Sequence, residues 1–145
     1  MKEEGMEVTR LLNIRIYGLK FEGNPTDDEN HAIGVTYAYN VTIERCYFTK
    51  FGDESITFGY TKDVKILYNY FYDTSYTGAP ITSQSGNSII EGNIIDTTYN
   101  SGGINIEGLI EPIRNILIIS NIIRNSKTEI TGGMGIFVKS AGYEI

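Results

Sequence analysis

Residues 87–96 read NSIIEGNIID, and the chain writes this phrase five times. The other copies are NIRIYGLKFE at 13–22, NVTIERCYFT at 40–49, DVKILYNYFYD at 63–73 and NILIISNIIR at 115–124. Each opens on Asn or Asp, sets two inward positions one residue apart, turns, and adds a second apolar pair. The starts at 13, 40, 63, 87 and 115 lie 27, 23, 24 and 28 residues apart. A near-constant unit with variable insertions is the mark of a solenoid whose loops leave from some corners.

Within a copy the alternation has period two, so the segment is a strand with one face in and one face out. Val41 and Ile43 point one way, Thr42 and Glu44 the other; Val64/Ile66, Ser88/Ile90 and Ile116/Ile118 repeat the pattern. A second short strand follows a corner, and a third closes each turn at 33–35, 55–58, 79–81, 103–106 and 135–138. Three strands per two dozen residues make one coil of a parallel β-helix. About five coils at ~4.8 Å each predict a rod of roughly 20–25 Å. The inward columns are Ile14/Val41/Val64/Ser88/Ile116, Ile16/Ile43/Ile66/Ile90/Ile118 and Phe21/Phe48/Phe71/Ile95/Ile123, the β-branched and aromatic filling that a buried parallel sheet takes. Asn69, Asn93 and Asn121 align at one corner, where Cys46 and Leu19 stand in the earlier coils. They are expected to form a structural ladder and to accept left-handed backbone angles there.

The recurring Asn-(Val/Ile)-x-(Ile/Val)-x-x-Asn-x-(Phe/Ile) pattern, followed by Gly-Ile-x-(Ile/Val), resembles the right-handed parallel β-helix repeats of the pectate-lyase-like superfamily. The resemblance runs from about Asn13 to Lys139. It implies an all-β, right-handed parallel β-helix. That superfamily includes polysaccharide lyases, glycoside hydrolases, epimerases, phage tailspikes and non-catalytic proteins, so the function implied is carbohydrate interaction, lyase- or hydrolase-like chemistry, or a structural rod.

Composition narrows the partners. The 145 residues suit one domain or a piece of a longer protein, and the formal charge is −6 with no basic cluster. Nucleic acid and anionic membranes are therefore poor partners, and no run is long and apolar enough to span a bilayer. Cys46 is the only cysteine, which rules out an internal disulfide and a cysteine-based zinc site. The charged N-terminus lacks the apolar core of a secretory signal; an extracellular or virion-surface location follows only for a part of a longer exported protein. Residues 1–12 are expected to cap the first coil and 13–145 to form the β-helix domain. The C-terminus stops just after a third strand, as a shortened protein or a partner-covered end would.

Four features are candidates for function. Asp27, Asp28 and Glu29, beside His31, are clustered carboxylates of the type a hard cation such as calcium takes, and the resemblance implies calcium holding acidic sugars. Glu107 and Lys139 fall at matching outward positions of the third strand in adjacent coils, on the face where the resemblance places the cleft. There they are a candidate catalytic pair, or a surface ion pair. Tyr72, Tyr76 and Tyr99 in neighbouring loops, with Asn105, are candidate sugar contacts. An outward column of Tyr47, Tyr70, Ile94 and Ile122 is unexpectedly apolar and marks a self-association surface, making the protein a homo-oligomer. A carbohydrate-interacting domain and a non-catalytic assembly module are the two functions these features support.

Overall fold

The computed structural model describes residues 11–27, 30–75, 80–99, 102–108, 114–127 and 135–140, all in strands and connecting turns. The first rung contains β1 (Leu11–Tyr17), β2 (Lys20–Glu22) and β3 (Ile33–Thr36), and the second opens with β4 (Ala38–Glu44) and β5 (Tyr47–Thr49). The chain continues through β6 (Ile56–Leu67), β7 (Tyr70–Thr74), β8 (Ile81–Glu91), β9 (Ile94–Thr98) and β10 (Ile104–Gly108). The last strands are β11 (Ile116–Ile119), β12 (Ile122–Arg124) and β13 (Ile136–Ser140). Every pairing is parallel and joins a strand to its counterpart about two dozen residues on, which is the connectivity of a β-helix.

Register runs unbroken through five rungs. Ile14 pairs with Val41, Val41 with Val64, Val64 with Ser88 and Ser88 with Ile116, and the two other inward columns expected from the repeat run alongside. Four rises separate the first rung from the fifth. The core is a pile of like side chains: Phe21, Phe48 and Phe71 stack at 5.0 and 4.8 Å with nearly parallel rings. Val41, Ile43, Val64, Ile66 and Ile90 are fully buried beside them. Each such side chain contributes about 1.5–3 kcal/mol through burial.

Two local features differ from the sequence expectation. In β6 and β8 the third strand of one coil and the first of the next are one bent strand, not two. In β6 the register shifts between Gly59 and Lys62, where Tyr60 takes φ 51°. The Thr61 hydroxyl ties the bend down by donating to the Gly59 carbonyl at 2.9 Å. Tyr37, at φ 54°, turns the same corner one rung earlier, and its ring stacks on Tyr60 at 5.0 Å.

The asparagine corner differs in its backbone. The left-handed residue is the one before each ladder position: Gly18, Arg45, Tyr68, Gly92 and Ser120, with φ between 52° and 67°. The ladder asparagines are there for hydrogen bonding. Asn69 Oδ1 accepts from Cys46 N–H, Asn93 Oδ1 from Asn69 N–H and Asn121 Oδ1 from Asn93 N–H, each at 2.9 Å. Their amides donate to the Ile43, Ile66 and Ile90 carbonyls. A second, exposed ladder lies at the copy openings, where Asn13, Asn40, Asp63, Asn87 and Asn115 do adopt left-handed angles. Asn40 donates to Asn13, Asn87 to Asp63 and Asn115 to Asn87. Residues 1–10 of the expected cap lie outside the described residues.

Candidate functional site

The third-strand face carries the expected outward row. Because Ile104 and Ile106 point into the core, Asn105 and Glu107 point out, and Thr57, Thr82, Asn105 and Phe137 follow one another up the face. Glu107 is directly opposite Lys139 in the β10–β13 register, so their backbones are one strand spacing apart, ~4.8 Å. The Lys139 side chain lies outside the described residues. Asn105 Oδ1 is buried without a hydrogen-bond partner, a condition that costs about 1–3 kcal/mol until a donor meets it.

The acidic loop is rebuilt by its tertiary neighbours. Asp28 and Glu29 lie outside the described residues, and Asp27 N–H closes a turn onto the Asn24 carbonyl. His31 faces Asp53 and Glu54, from the loop before β6: Nδ1 lies 3.3 Å from Glu54 Oε2 and Nε2 3.8 Å from Asp53 Oδ2. Their ligand-type atoms fall within 4.8 Å of one another. The two ring nitrogens address different carboxylates, Nδ1 that of Glu54 and Nε2 that of Asp53. Burial first, and then a hydrogen bond that its protonated form donates to Asp53, push the Glu54 carboxyl above its ordinary value. Thr82 Oγ1, 3.4 Å from Glu54 Oε1, connects this cluster to the third-strand face.

The tyrosines gather elsewhere, on the outer face of the sheet made by β2, β5, β7, β9 and β12. Tyr72 is in strand β7 rather than a loop, and it is exposed. Tyr70, two residues earlier on the same face, holds its ring parallel to Tyr72 at 6.3 Å, and Tyr47 continues the group at 5.5 Å from Tyr70. The column expected to be apolar therefore runs Lys20, Tyr47, Tyr70, Ile94, Ile122. Tyr47, Tyr70 and Ile94 are half-buried and Ile122 is exposed.

Beside it runs a polar column of Glu22, Thr49, Tyr72, Asp96 and Arg124. Asp96 is in β9 on this face. It accepts from Arg124 at 2.8 Å and from the Asn125 amide at 2.7 Å, with the Tyr70 hydroxyl at 3.4 Å. Asn125 first, and then Arg124, hold its carboxyl below the ordinary value against the opposing effect of desolvation. Tyr99, just past β9, donates its hydroxyl to Asp73 Oδ1 at 2.6 Å while Lys127 lies over its ring at 5.3 Å.

Of the expected sugar contacts, Tyr72 stacks on Tyr70, Tyr99 bonds Asp73, Asn105 is on another face, and Tyr76 lies outside the described residues. Phe51, in the loop before β6, is in the core. The Asp96–Arg124–Asn125 group was missed from sequence. Its signal was the register itself, which puts Asp96 one outward position past Ile94 and level with Tyr72.

An uninterrupted parallel coil with an inward aliphatic stack, an asparagine ladder and side-chain groups displayed on flat outer faces defines a β-solenoid. The chain belongs to the right-handed β-helix region family, whose model matches residues 1–145. This agrees with the fold that the repeat resemblance implied. No curated protein and no solved structure matches it.

Proposed function

We propose that this β-helix domain interacts with carbohydrate, and that the tyrosine face of the second sheet is where a polysaccharide lies. The observation that carries the reading is the parallel pair Tyr70–Tyr72, with Tyr72 exposed, beside a fixed carboxylate and guanidinium. Aromatic faces give a sugar ring an apolar platform, and Asp96, Arg124 and the Asp73–Tyr99 pair offer acceptors and donors for its hydroxyls. The strands fix these groups before any ligand arrives, which limits the ordering cost of binding. Glu107 and Lys139 are the groups we assign to lyase- or hydrolase-like chemistry, should the domain also process the chain. The His31–Asp53–Glu54 loop with Asp27 is where a calcium dependence would originate.

The test is calorimetric titration of the protein with neutral and acidic polysaccharides, with calcium and with chelator, followed by assay for shortened or unsaturated products. Tyr72→Ala is expected to weaken binding about tenfold, from ~1–1.5 kcal/mol of lost ring contact. Binding unchanged in Tyr72→Ala would remove the platform from the account. A protein that ignores every glycan and self-associates instead would favour the assembly-module function.

A further inference from the structure

Exposed aliphatic side chains are not spread over this molecule. Among the described residues, every exposed large aliphatic lies on the first or fifth rung; the exposed large apolar residues of the middle rungs are all tyrosines. Some belong to inward columns. Leu11 is 59% exposed although Ala38, its partner on the next rung, is fully buried. Ile136 and Val138 are 48% and 66% exposed, while Ile104 and Ile106 directly beneath them are 1% exposed. Among the described residues, both ends of the coil therefore present core residues and strand edges, with β1 and β2 at one end of the sheets and β12 and β13 at the other.

The two ends also match each other. All strands run the same way, so a second molecule translated along the axis would offer its first rung to the fifth rung of the one below in the parallel sense already used inside the coil. In that register Asn115 would meet Asn13, both left-handed, at φ 56° and 58°. This would continue the exposed ladder in which Asn115 already donates to Asn87 and Asn40 to Asn13. Ile118 would meet Ile16, Ile123 would meet Phe21, and Val138 would meet Val35, apolar on apolar in each inward column. The polar column ends in Arg124 above and begins with Glu22 below, so opposite charges would face across the junction.

We propose that the fifth rung of one molecule stacks on the first rung of another, in register, so that the protein associates head to tail along the β-helix axis. The contact is heterologous and does not close by symmetry, so it builds linear stacks rather than a fixed dimer. It is independent of the tyrosine face, which stays open along the side of the stack.

The test is analytical ultracentrifugation of the full chain with two single-end variants, Leu11→Glu and Val138→Glu. Both positions are exposed, and far-UV circular dichroism with a thermal melt checks that each variant folds. The wild-type average mass is expected to rise several-fold above the one-chain value of 16.2 kDa with concentration. Each variant alone is limited to one chain, because every head-to-tail contact between two copies of the same variant uses one blocked end. An equimolar mixture of the two forms dimers of twice that mass, joining the open fifth rung of Leu11→Glu to the open first rung of Val138→Glu. A wild type that stays at one-chain mass, as when a terminal segment of the same chain covers an end, overturns the proposal. So do variants that assemble like wild type, a single variant that dimerises, or a mixture that stays monomeric.

Discussion

Replacing Asn93 by alanine isolates what the asparagine ladder does. Asn93 is fully buried, and its side chain makes four hydrogen bonds. Oδ1 accepts from the Asn69 N–H at 2.9 Å and from the Asn69 amide at 3.0 Å; Nδ2 donates to the Ile66 carbonyl and to Asn121 Oδ1, both at 2.9 Å. Truncation strands the Asn69 N–H in a corner that is itself buried, and each unsatisfied buried group costs about 1–3 kcal/mol. With two such groups the loss is expected at ~3–5 kcal/mol, a large part of the 5–15 kcal/mol typical of a domain. Asn121→Ala is the internal comparison. Asn121 makes the equivalent bonds but is half-buried on the last rung, so water replaces part of what is lost and ~1–2 kcal/mol is expected. Urea unfolding followed by far-UV circular dichroism reads both, as a shift in midpoint at constant slope. A loss below ~1 kcal/mol in Asn93→Ala, or one no larger than in Asn121→Ala, would refute the claim that the ladder satisfies buried backbone.

Three further perturbations probe other parts of the molecule. A Cβ at Gly23 would fall 2.6 Å from the buried Phe51 ring and 2.7 Å from the Lys50 carbonyl oxygen. Gly23→Ala is accordingly expected to lower stability by ~1–3 kcal/mol, measured by thermal melt against Gly34→Ala, where a Cβ would meet only the Thr57 methyl at 3.7 Å, an ordinary contact. Asp96 has its carboxyl lowered in the fold, so its contribution is present above the ordinary value of 3.8 and is lost as pH falls through the lower folded value. Asp96→Asn should flatten the acid limb of a stability–pH curve, and an unchanged limb would contradict the assigned partners. Glu54 has the opposite sign. Its raised folded value means that stability is fully present below 4.5 and lost as pH rises through that folded value. Glu54→Gln should therefore be more stable than wild type at pH 7 and no more stable at pH 4, by melting temperature.

The sequence made the columns legible because each inward residue is fixed locally by period-two alternation and then repeated at nearly constant spacing. Ile43, Ile66 and Ile90 stack in one column by spacing alone. What escaped was set by contacts between rungs. Whether Asn69 or Tyr68 takes the left-handed angle cannot be read from residue preference, since asparagine is the natural choice and tyrosine is not. Ladder bonding keeps the asparagine in place and moves the turn to its neighbour. His31 was grouped with Asp27, Asp28 and Glu29 by proximity in the chain, whereas its partners are more than twenty residues away, where the next coil brings its loop alongside. Phe51 is buried although nothing local in the sequence shows that Gly23 leaves room for its ring. The tyrosine face was visible in pieces, as an apolar column and as a loop cluster, and only the register joined them to Asp96 and Arg124.

The most direct test of the account is the distance between labels placed on the outward column Arg15, Thr42, Lys65, Ile89 and Leu117, whose members are paired rung to rung. Spin labels at cysteines substituted for Arg15 and Leu117, with Cys46 replaced by serine, would be read by pulsed electron paramagnetic resonance. Four rises of ~4.8 Å predict a backbone separation of about 19 Å, shortening by one rise for each rung by which the pair is brought together. A separation that does not fall in such steps would contradict the stacked register on which every face described above depends.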